Sequence, residues 1–308
     1  GGKYGLNGHR FGTGGVALAH SARICPACIK YGRCHRLSWQ VNVPAPEFYE
    51  AASSWLSRLA LSQGTSVQEL FAFLGLINRG DVDRQLYGES LKVLRTACGL
   101  PETALAIHER VMVGLESIGD VGAKYLATSP SQRPRFRYCP LCLAEMHTPH
   151  FQIHWRFIAW RWCPDHDCLL EDDCPHCGGA IIFPTDIAES AAGRMGHGFL
   201  SRCQSCGARL TDIDPCNLRV DGFRRVSDLE NMSLTNGRAL LATLYYGRFR
   251  FKGESKWRHP KMFKIVDRYG VLPVRMDWLR PALVRQRTRE TYFPEQGRWL
   301  EGRSRIGK

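Results

Sequence analysis

Long apolar runs are missing from this chain: no uninterrupted stretch approaches the ~20 residues that a membrane-spanning helix needs. A charged-then-apolar leader ending in a small-residue cleavage site is missing too. We therefore expect a cytoplasmic protein with no membrane partner. Because the sequence opens Gly1-Gly2-Lys3 without methionine, we also expect that its true start is absent. Common catalytic signatures are lacking. There is no His-Glu-x-x-His, no phosphate-binding Gly-x-x-x-x-Gly-Lys and no Gly-x-Ser-x-Gly. A zinc deaminase would need His-x-Glu followed by Pro-Cys-x-x-Cys, but His108 is followed directly by Glu109 and no paired cysteine follows proline. We expect no enzyme.

Acid is scarce in the last third. From Arg219 to Lys308 there are 21 Lys and Arg against 9 Asp and Glu, a net of +12 out of a total of +13. Such an imbalance suits a polyanionic partner, because each neutralised phosphate releases condensed counterions. We expect DNA, while an ordinary solvated basic surface is the bland alternative.

Cysteine, by contrast, is plentiful: thirteen in 308 residues, mostly as closely spaced pairs. Pairs two residues apart in a chain without an export segment point to metal, not disulfides. Two groups of four ligands can be written. Cys139 and Cys142 go with Cys163 and His166, and Cys174 and Cys177 with Cys203 and Cys206. The intervals between pairs, 20 and 25 residues, are close to or somewhat beyond zinc-ribbon spacing, and thiolate-dominated tetrahedra select zinc. The pairing can equally be interleaved, with Cys139 and Cys142 sharing an ion with Cys174 and Cys177. His176 and Cys168 sit off the spacing, as substitute ligands or bystanders, and Cys98 and Cys216 read as a small buried residue and an unpaired surface thiol. Cys25, Cys28, Cys34 and His35 form a candidate third site. Four protein ligands leave no position for water, so both ions are expected to be structural. Each would contribute on the order of 10 kcal/mol to a loop-rich segment with few large apolar residues, so that zinc stands in for a core.

The fold class expected is mainly α with small zinc-ribbon or zinc-finger elements. Residues 1–38 read as an irregular extension, 39–130 as a helical helix-turn-helix domain, 131–218 as tandem zinc fingers, and 219–308 as a basic, mostly helical domain. After an extended Val43-Pro44-Ala45-Pro46, Ser53 or Ser54 is placed to cap a first helix carrying Trp55, Leu56, Leu59, Ala60 and Leu61. Gly64 and Thr65 break it, and a second helix runs from Ser66 to Leu74 with Val67, Leu70, Phe71 and Leu74 on one face. Helical pattern continues over Ser90–Ala97 and Pro101–Ser117, with Pro101 near a helix start. Ser129 to Pro134 reads as a linker, and later helices are expected at Gly237–Tyr246, Met262–Tyr269 and Met276–Arg289.

Several of these stretches together resemble the TniQ/TnsD family of transposition target-selection proteins. The resemblance lies in Ser53 to Ala60, Tyr138 to Glu145, Trp155-Arg156, Cys163-Pro-Asp-His166, Leu169-Leu170 and Cys174 to Gly178, and it covers about residues 39–210. It implies a non-catalytic adaptor with a helix-turn-helix and zinc fingers. Such a protein recognises a target site, or a target-bound complex such as an RNA-guided CRISPR effector, and recruits an AAA+ ATPase regulator of the transposase. Dimerisation is a further candidate property. The competing reading is a zinc-ribbon transcription regulator acting alone on DNA, and an RNA-processing zinc protein comes third. Candidate nucleic-acid contacts are Ser66 and Gln68 on the second helix, beside Glu69. That helix is not basic, so it either reads bases while other segments hold phosphates or docks a protein. Arg133, Arg135 and Arg137 alternate before the first cysteine pair, and Arg248, Arg250 and Lys252 alternate with Phe249 and Phe251. Strand-like alternation places charges on one face and aromatics on the other. Trp155, Trp160 and Trp162 read as packing around the first zinc and not as base platforms.

If the basic third carries the phosphate contacts, DNA affinity falls steeply with salt and deletion of residues 219–308 flattens that dependence. Salt-titrated anisotropy on labelled duplex checks this; an unchanged slope would place the contacts elsewhere.

Overall fold

A computed structural model of the chain describes residues 42–76, 80–216, 239–250 and 255–262. The candidate third metal site, Lys252, Phe251 and the helices expected beyond Met262 lie outside the described residues. Four helices come first: α1 (Ala52–Ser62), α2 (Val67–Leu74), α3 (Gly88–Ala97) and α4 (Ala106–Ile118). A 3-10 turn at Asp120–Tyr125 follows, and then a region of short elements. In it, β1 (Arg135–Phe136) pairs antiparallel with β4 (Ile181–Ile182), and β2 (Trp162–Cys163) with β3 (Cys168–Leu169). Two short helices, α5 (Pro140–Glu145) and α6 (Ala191–Arg194), complete it, with a 3-10 turn at Ile153–Arg156. Among the described residues a last α-helix, α7, covers 239–246. Sheet is confined to these two-residue ladders among the described residues, so the chain is mainly helical with small ribbon elements. None of the helices among them is long and apolar enough to cross a membrane.

The first helix starts earlier than its serines suggested. Ala51 occupies the cap position without a side-chain bond, and Ser53 and Ser54 lie buried within the first turn. Distant groups satisfy the orphan amides instead: Ala52 N donates to His108 Nδ1 (3.2 Å) and Ser53 N to Asp83 Oδ1 (2.7 Å). The Ser54 hydroxyl bonds Glu50 and accepts from Phe151 N, so both serines are tertiary connectors and not local caps. The second helix does follow the local rule. Ser66 and Glu69 form a reciprocal capping box, and Gly75 closes the helix in the left-handed conformation.

The fourth helix begins at Ala106, not near Pro101. Residues before it close in turns, with Ala104 N bonded to Pro101 O and Ala106 N to Thr103 O. Leu105 takes a left-handed conformation (φ 57°) that a continuous helix could not contain, while the buried Arg95 guanidinium fixes the Ala104 carbonyl at 2.8 Å. Ser129 to Pro134 also differs from a slack linker. Ser129 is buried, its amide and hydroxyl are bonded within the turn, and Thr128 bridges Pro134, so the segment is a tight reversal.

One apolar cluster runs from Ala51, Val111 and Leu115 through Phe136, Tyr138, Phe151, Trp155, Phe157 and Phe183 to Leu240 and Leu244. Six of these aromatics come from the cysteine-rich segment itself, against the expectation that it has few large apolar residues of its own. At ~1.5–3 kcal/mol each, their burial amounts to something on the order of 10 kcal/mol, comparable to one structural metal. Metal bound in this segment would therefore supplement a core and not replace one. The last helix closes the cluster by crossing α4 at Gly114, where a Cβ would meet the Leu244 backbone at 3.1 Å.

The two halves of this core are fastened by Arg156, which is 0 % exposed. Its guanidinium bonds Asp81 through both terminal nitrogens (2.9 and 2.7 Å), Asp83 at 2.9 Å and the Ala127 carbonyl at 3.1 Å. His108 lies on the same network: its Nδ1 accepts from Ala52 and its Nε2 faces the Asp83 and Leu86 carbonyls, which fixes the neutral Nε2–H form. Burial pushes its pKa down and keeps the ring uncharged. Replacing Arg156 with Met should cost about 3–5 kcal/mol, because two carboxylates then lose their counter-charge in the interior. Urea denaturation measures it; a loss under about 1 kcal/mol would show that water reaches Asp81 and Asp83.

Candidate metal centres

Each cysteine pair is presented by a tight turn, and three of the four turns share one construction. In β2–β3, Cys163 is paired with Cys168, and the connecting Pro164-Asp165-His166-Asp167 reverses through a left-handed Asp167 (φ 54°). In the second turn Cys174 N bonds Gly179 O (2.9 Å) and Gly178 N bonds Cys174 O (2.9 Å). In the third, Cys203 N bonds Ala208 O (2.8 Å) and Gly207 N bonds Cys203 O (2.8 Å). Gly178 and Gly207 take φ of 68° and 78° directly after the second sulfur, a conformation that lets the chain turn back while both sulfurs point the same way. The fourth pair is helical: Cys139 is the N-cap of α5, its sulfur accepts from Cys142 N at 3.4 Å, and Pro140 opens the helix.

Backbone bridges bring these turns together. Tyr138 and Glu171 exchange amide hydrogen bonds (3.0 and 2.8 Å), which sets Cys139 beside β3. Two sets of four result, Cys139, Cys142, Cys163 and His166 in one and Cys174, Cys177, Cys203 and Cys206 in the other, each with its donor atoms within 4.8 Å of one another. Of the two pairings open to the sequence, the sequential one is the one that the fold brings together.

The donor sets fit zinc. Arms of about 2.3 Å to sulfur imply tetrahedral edges of about 3.8 Å, somewhat less to nitrogen. In the first set His166 Nδ1 lies 3.5, 3.2 and 3.5 Å from the sulfurs of Cys139, Cys142 and Cys163, and Cys142 and Cys163 are 3.5 Å apart. In the second, Cys174–Cys206 and Cys177–Cys203 are each 3.7 Å apart.

Two further groups stand beside the first set, Glu145, which carried no role in the sequence, and Cys168, read there as a substitute ligand or bystander. Glu145, at the end of α5, places Oε1 3.0 Å from His166 Nε2. This carboxylate orients the imidazole with Nδ1 inward and raises the His166 pKa against the effect of burial. Its signal was a carboxylate six residues after the first cysteine, one helical turn beyond the second. Cys168 is buried, with its sulfur 3.6 Å from Cys139 and outside the four-donor set. Hydrogen bonding to Cys139 and burial push its thiol up. His176 is exposed and joins neither set, and Cys216, expected at the surface, is buried.

The arginines before the first turn are committed to the protein itself. Arg133 bonds the Pro184 carbonyl, Arg135 pairs with Asp173 at 2.7 Å, and Arg137 is buried with Asp172 at 2.6 Å and the Phe157 carbonyl at 2.9 Å. Trp155 is in the core against Phe151, and Trp160 and Trp162 are half-buried. On α2, Gln68 is exposed, while the Ser66 hydroxyl is held in its capping box. Arg248 and Arg250 are exposed.

Exchanging Glu145 for Gln should weaken zinc at the first centre about tenfold, at the mild end of such outer-shell losses, and leave the second unchanged. Competition with a chromogenic chelator resolves the two; equal affinities in both proteins would show that His166 needs no orientation.

A family model of TniQ matches residues 42–170. That span contains α1 to α4, the Arg156 network and the whole first donor set, and it ends before Cys174. No curated protein matches the chain.

Proposed function

From the TniQ domain that residues 42–170 form, we propose that this transposition-associated protein is a non-catalytic target-selection adaptor. It recognises a target site, or a complex already bound there, and recruits an AAA+ regulator of the transposase. The family match is the observation that carries this reading, and the two donor sets support the non-catalytic part of it. With zinc bound by Cys139, Cys142, Cys163 and His166, and by Cys174, Cys177, Cys203 and Cys206, each ion is closed by four protein atoms and serves as a structural tie. The ions tie the turns of the ribbon segment to one another, Arg156 fastens that segment to the helices, and the surfaces of both do the recognising.

We read α1 and α2, joined by four residues, as a helix-turn-helix, and we assign its exposed face to a protein and not to DNA. The start of α2 carries two carboxylates: Glu69 in the capping box, and Asp186, which bonds Val67 N. Negative charge at that end repels phosphate, whereas a groove-reading helix offers its amide end to the duplex. Phe73, on the outer face, is 52 % exposed and supplies an apolar anchor. Gln68 then contacts the protein partner, and DNA phosphates fall to Arg248, Arg250 and the basic sequence beyond.

Phe73→Asp should lower retention of the co-encoded AAA+ ATPase at least tenfold without changing DNA affinity or zinc content. Capture of the ATPase on tethered target DNA, with and without the full chain, reads this out. Wild-type protein that binds an operator by itself and retains no ATPase would favour the transcription-regulator reading instead.

A further inference from the structure

We propose that the exposed ribbon formed by residues 248–250 and 255–258 is a phosphodiester-backbone contact in which Trp257 holds the guanidinium groups of Arg248 and Arg250 ready for DNA. The inference rests on the reading of DNA as a partner and names the surface and the chemistry of that contact. Its frame is a backbone bridge: Phe249 N donates to Arg258 O at 3.0 Å and Arg258 N to Phe249 O at 2.7 Å. Phe249 packs against the core cluster, so its neighbours Arg248 and Arg250 point to the opposite, outer side, where both are exposed. On the facing strand Trp257 stands next to Arg258 and therefore shares the side of the two arginines. Arg248 Cζ lies 4.5 Å and Arg250 Cζ 5.0 Å from the centre of its ring.

Trp257 remains 48 % exposed, so the two guanidinium groups over its ring lie at the surface. Two guanidinium groups drawn to one ring repel each other. Among the described residues neither has a carboxylate partner, whereas Arg135, Arg137 and Arg156 in the ribbon segment each have one. Among the described residues the arrangement is a concentration of positive charge that an added anion would relieve. A guanidinium lying over a ring keeps its edge N–H groups free to donate in pairs to phosphate oxygens. Alternate residues of a strand lie roughly 6.6 Å apart, comparable with the spacing of successive phosphates along one nucleic-acid strand. The ring thus removes the freedom that two long surface side chains would otherwise lose on binding, and the arginines supply the charge.

The test uses full-length protein and labelled duplex DNA, with anisotropy measured across a salt series. Arg248→Gln/Arg250→Gln should reduce the log–log salt slope by roughly 2 and the affinity at moderate salt at least tenfold. The charge-matched Arg84→Gln/Lys92→Gln pair, on exposed positions of the helical segment, should leave the slope within error of wild type. Trp257→Leu keeps the net charge yet should weaken binding roughly fivefold, and Trp257→Phe should restore most of it. Thermal melts of each variant confirm that the fold persists. Equal losses from both charge pairs, or wild-type binding by Trp257→Leu, would overturn the inference. So would polyglutamate competing as well as DNA of equal charge, which would assign the ribbon to an acidic protein segment. ATPase retention, scored in parallel, separates the two readings. An intact DNA contact without ATPase retention sinks the adaptor and spares the ribbon, and the converse result spares the adaptor alone.

Discussion

Four ligand atoms must converge within a few ångströms, twice, inside a stretch of chain that makes almost no regular structure. From Cys139 to Cys206 the ladders are two residues long and the helices six and four, so hydrogen bonding within elements does little to hold the turns in place. Closing the intervals between cysteine pairs is entropically unfavourable, and for the long ones the cost grows only slowly with length. A metal ion held by the four donors would offset that cost with on the order of 10 kcal/mol or more. Everything outward of the sulfurs, including the bridge from Tyr138 to Glu171 and the Glu145 carboxylate behind His166, serves to aim those atoms.

The second determinant of the fold is the connection between ribbon and helices, and it is polar at its centre. Arg156 reaches from the ribbon side into Asp81 and Asp83, and Asp83 also receives Ser53 at the start of α1 while its carbonyl faces His108. Aromatic side chains surround this network, with Arg156 Cζ 5.7 Å from the Phe136 ring centre. Apolar packing gives the joint its strength and the charge network gives it one register, since an unpaired guanidinium at that depth would be costly. The helical unit and the ribbon unit are thereby placed with respect to each other by specific bonds.

Much of the donor chemistry was legible in the sequence because Cys-x-x-Cys turns are local: spacing alone dictates that two sulfurs point one way, and Gly178 and Gly207 mark the reversal. Choosing the sequential pairing over the interleaved one was not legible. It depends on Tyr138 meeting Glu171, a contact across 33 residues that no local pattern encodes. The same reason explains α1, whose cap was sought in Ser53 and Ser54 when the helix end is satisfied by Asp83 and His108 from elsewhere in the chain. The capping box of α2, by contrast, involves residues three apart and was visible. Arg133, Arg135 and Arg137 show the limit of charge patterning: alternation gives the face, but whether that face meets solvent or Asp172 and Asp173 is a tertiary fact. The aromatic core of the ribbon segment was missed because its members are scattered, from Phe136 to Phe183, without period.

These features fit the adaptor proposed above: a helical unit with an anionic-ended, partly apolar α2, a ribbon unit with two four-donor sets, and cationic sequence concentrated towards the end of the chain. The central claim is that both centres are occupied, closed and structural. It is tested most directly by metal analysis of the purified full chain together with near-ultraviolet circular dichroism during graded removal of metal. The account predicts two equivalents of zinc per chain, and collapse of the aromatic signal as they are withdrawn. Substantially fewer than two equivalents, or a metal-free chain that keeps its aromatic signal unchanged, would contradict it.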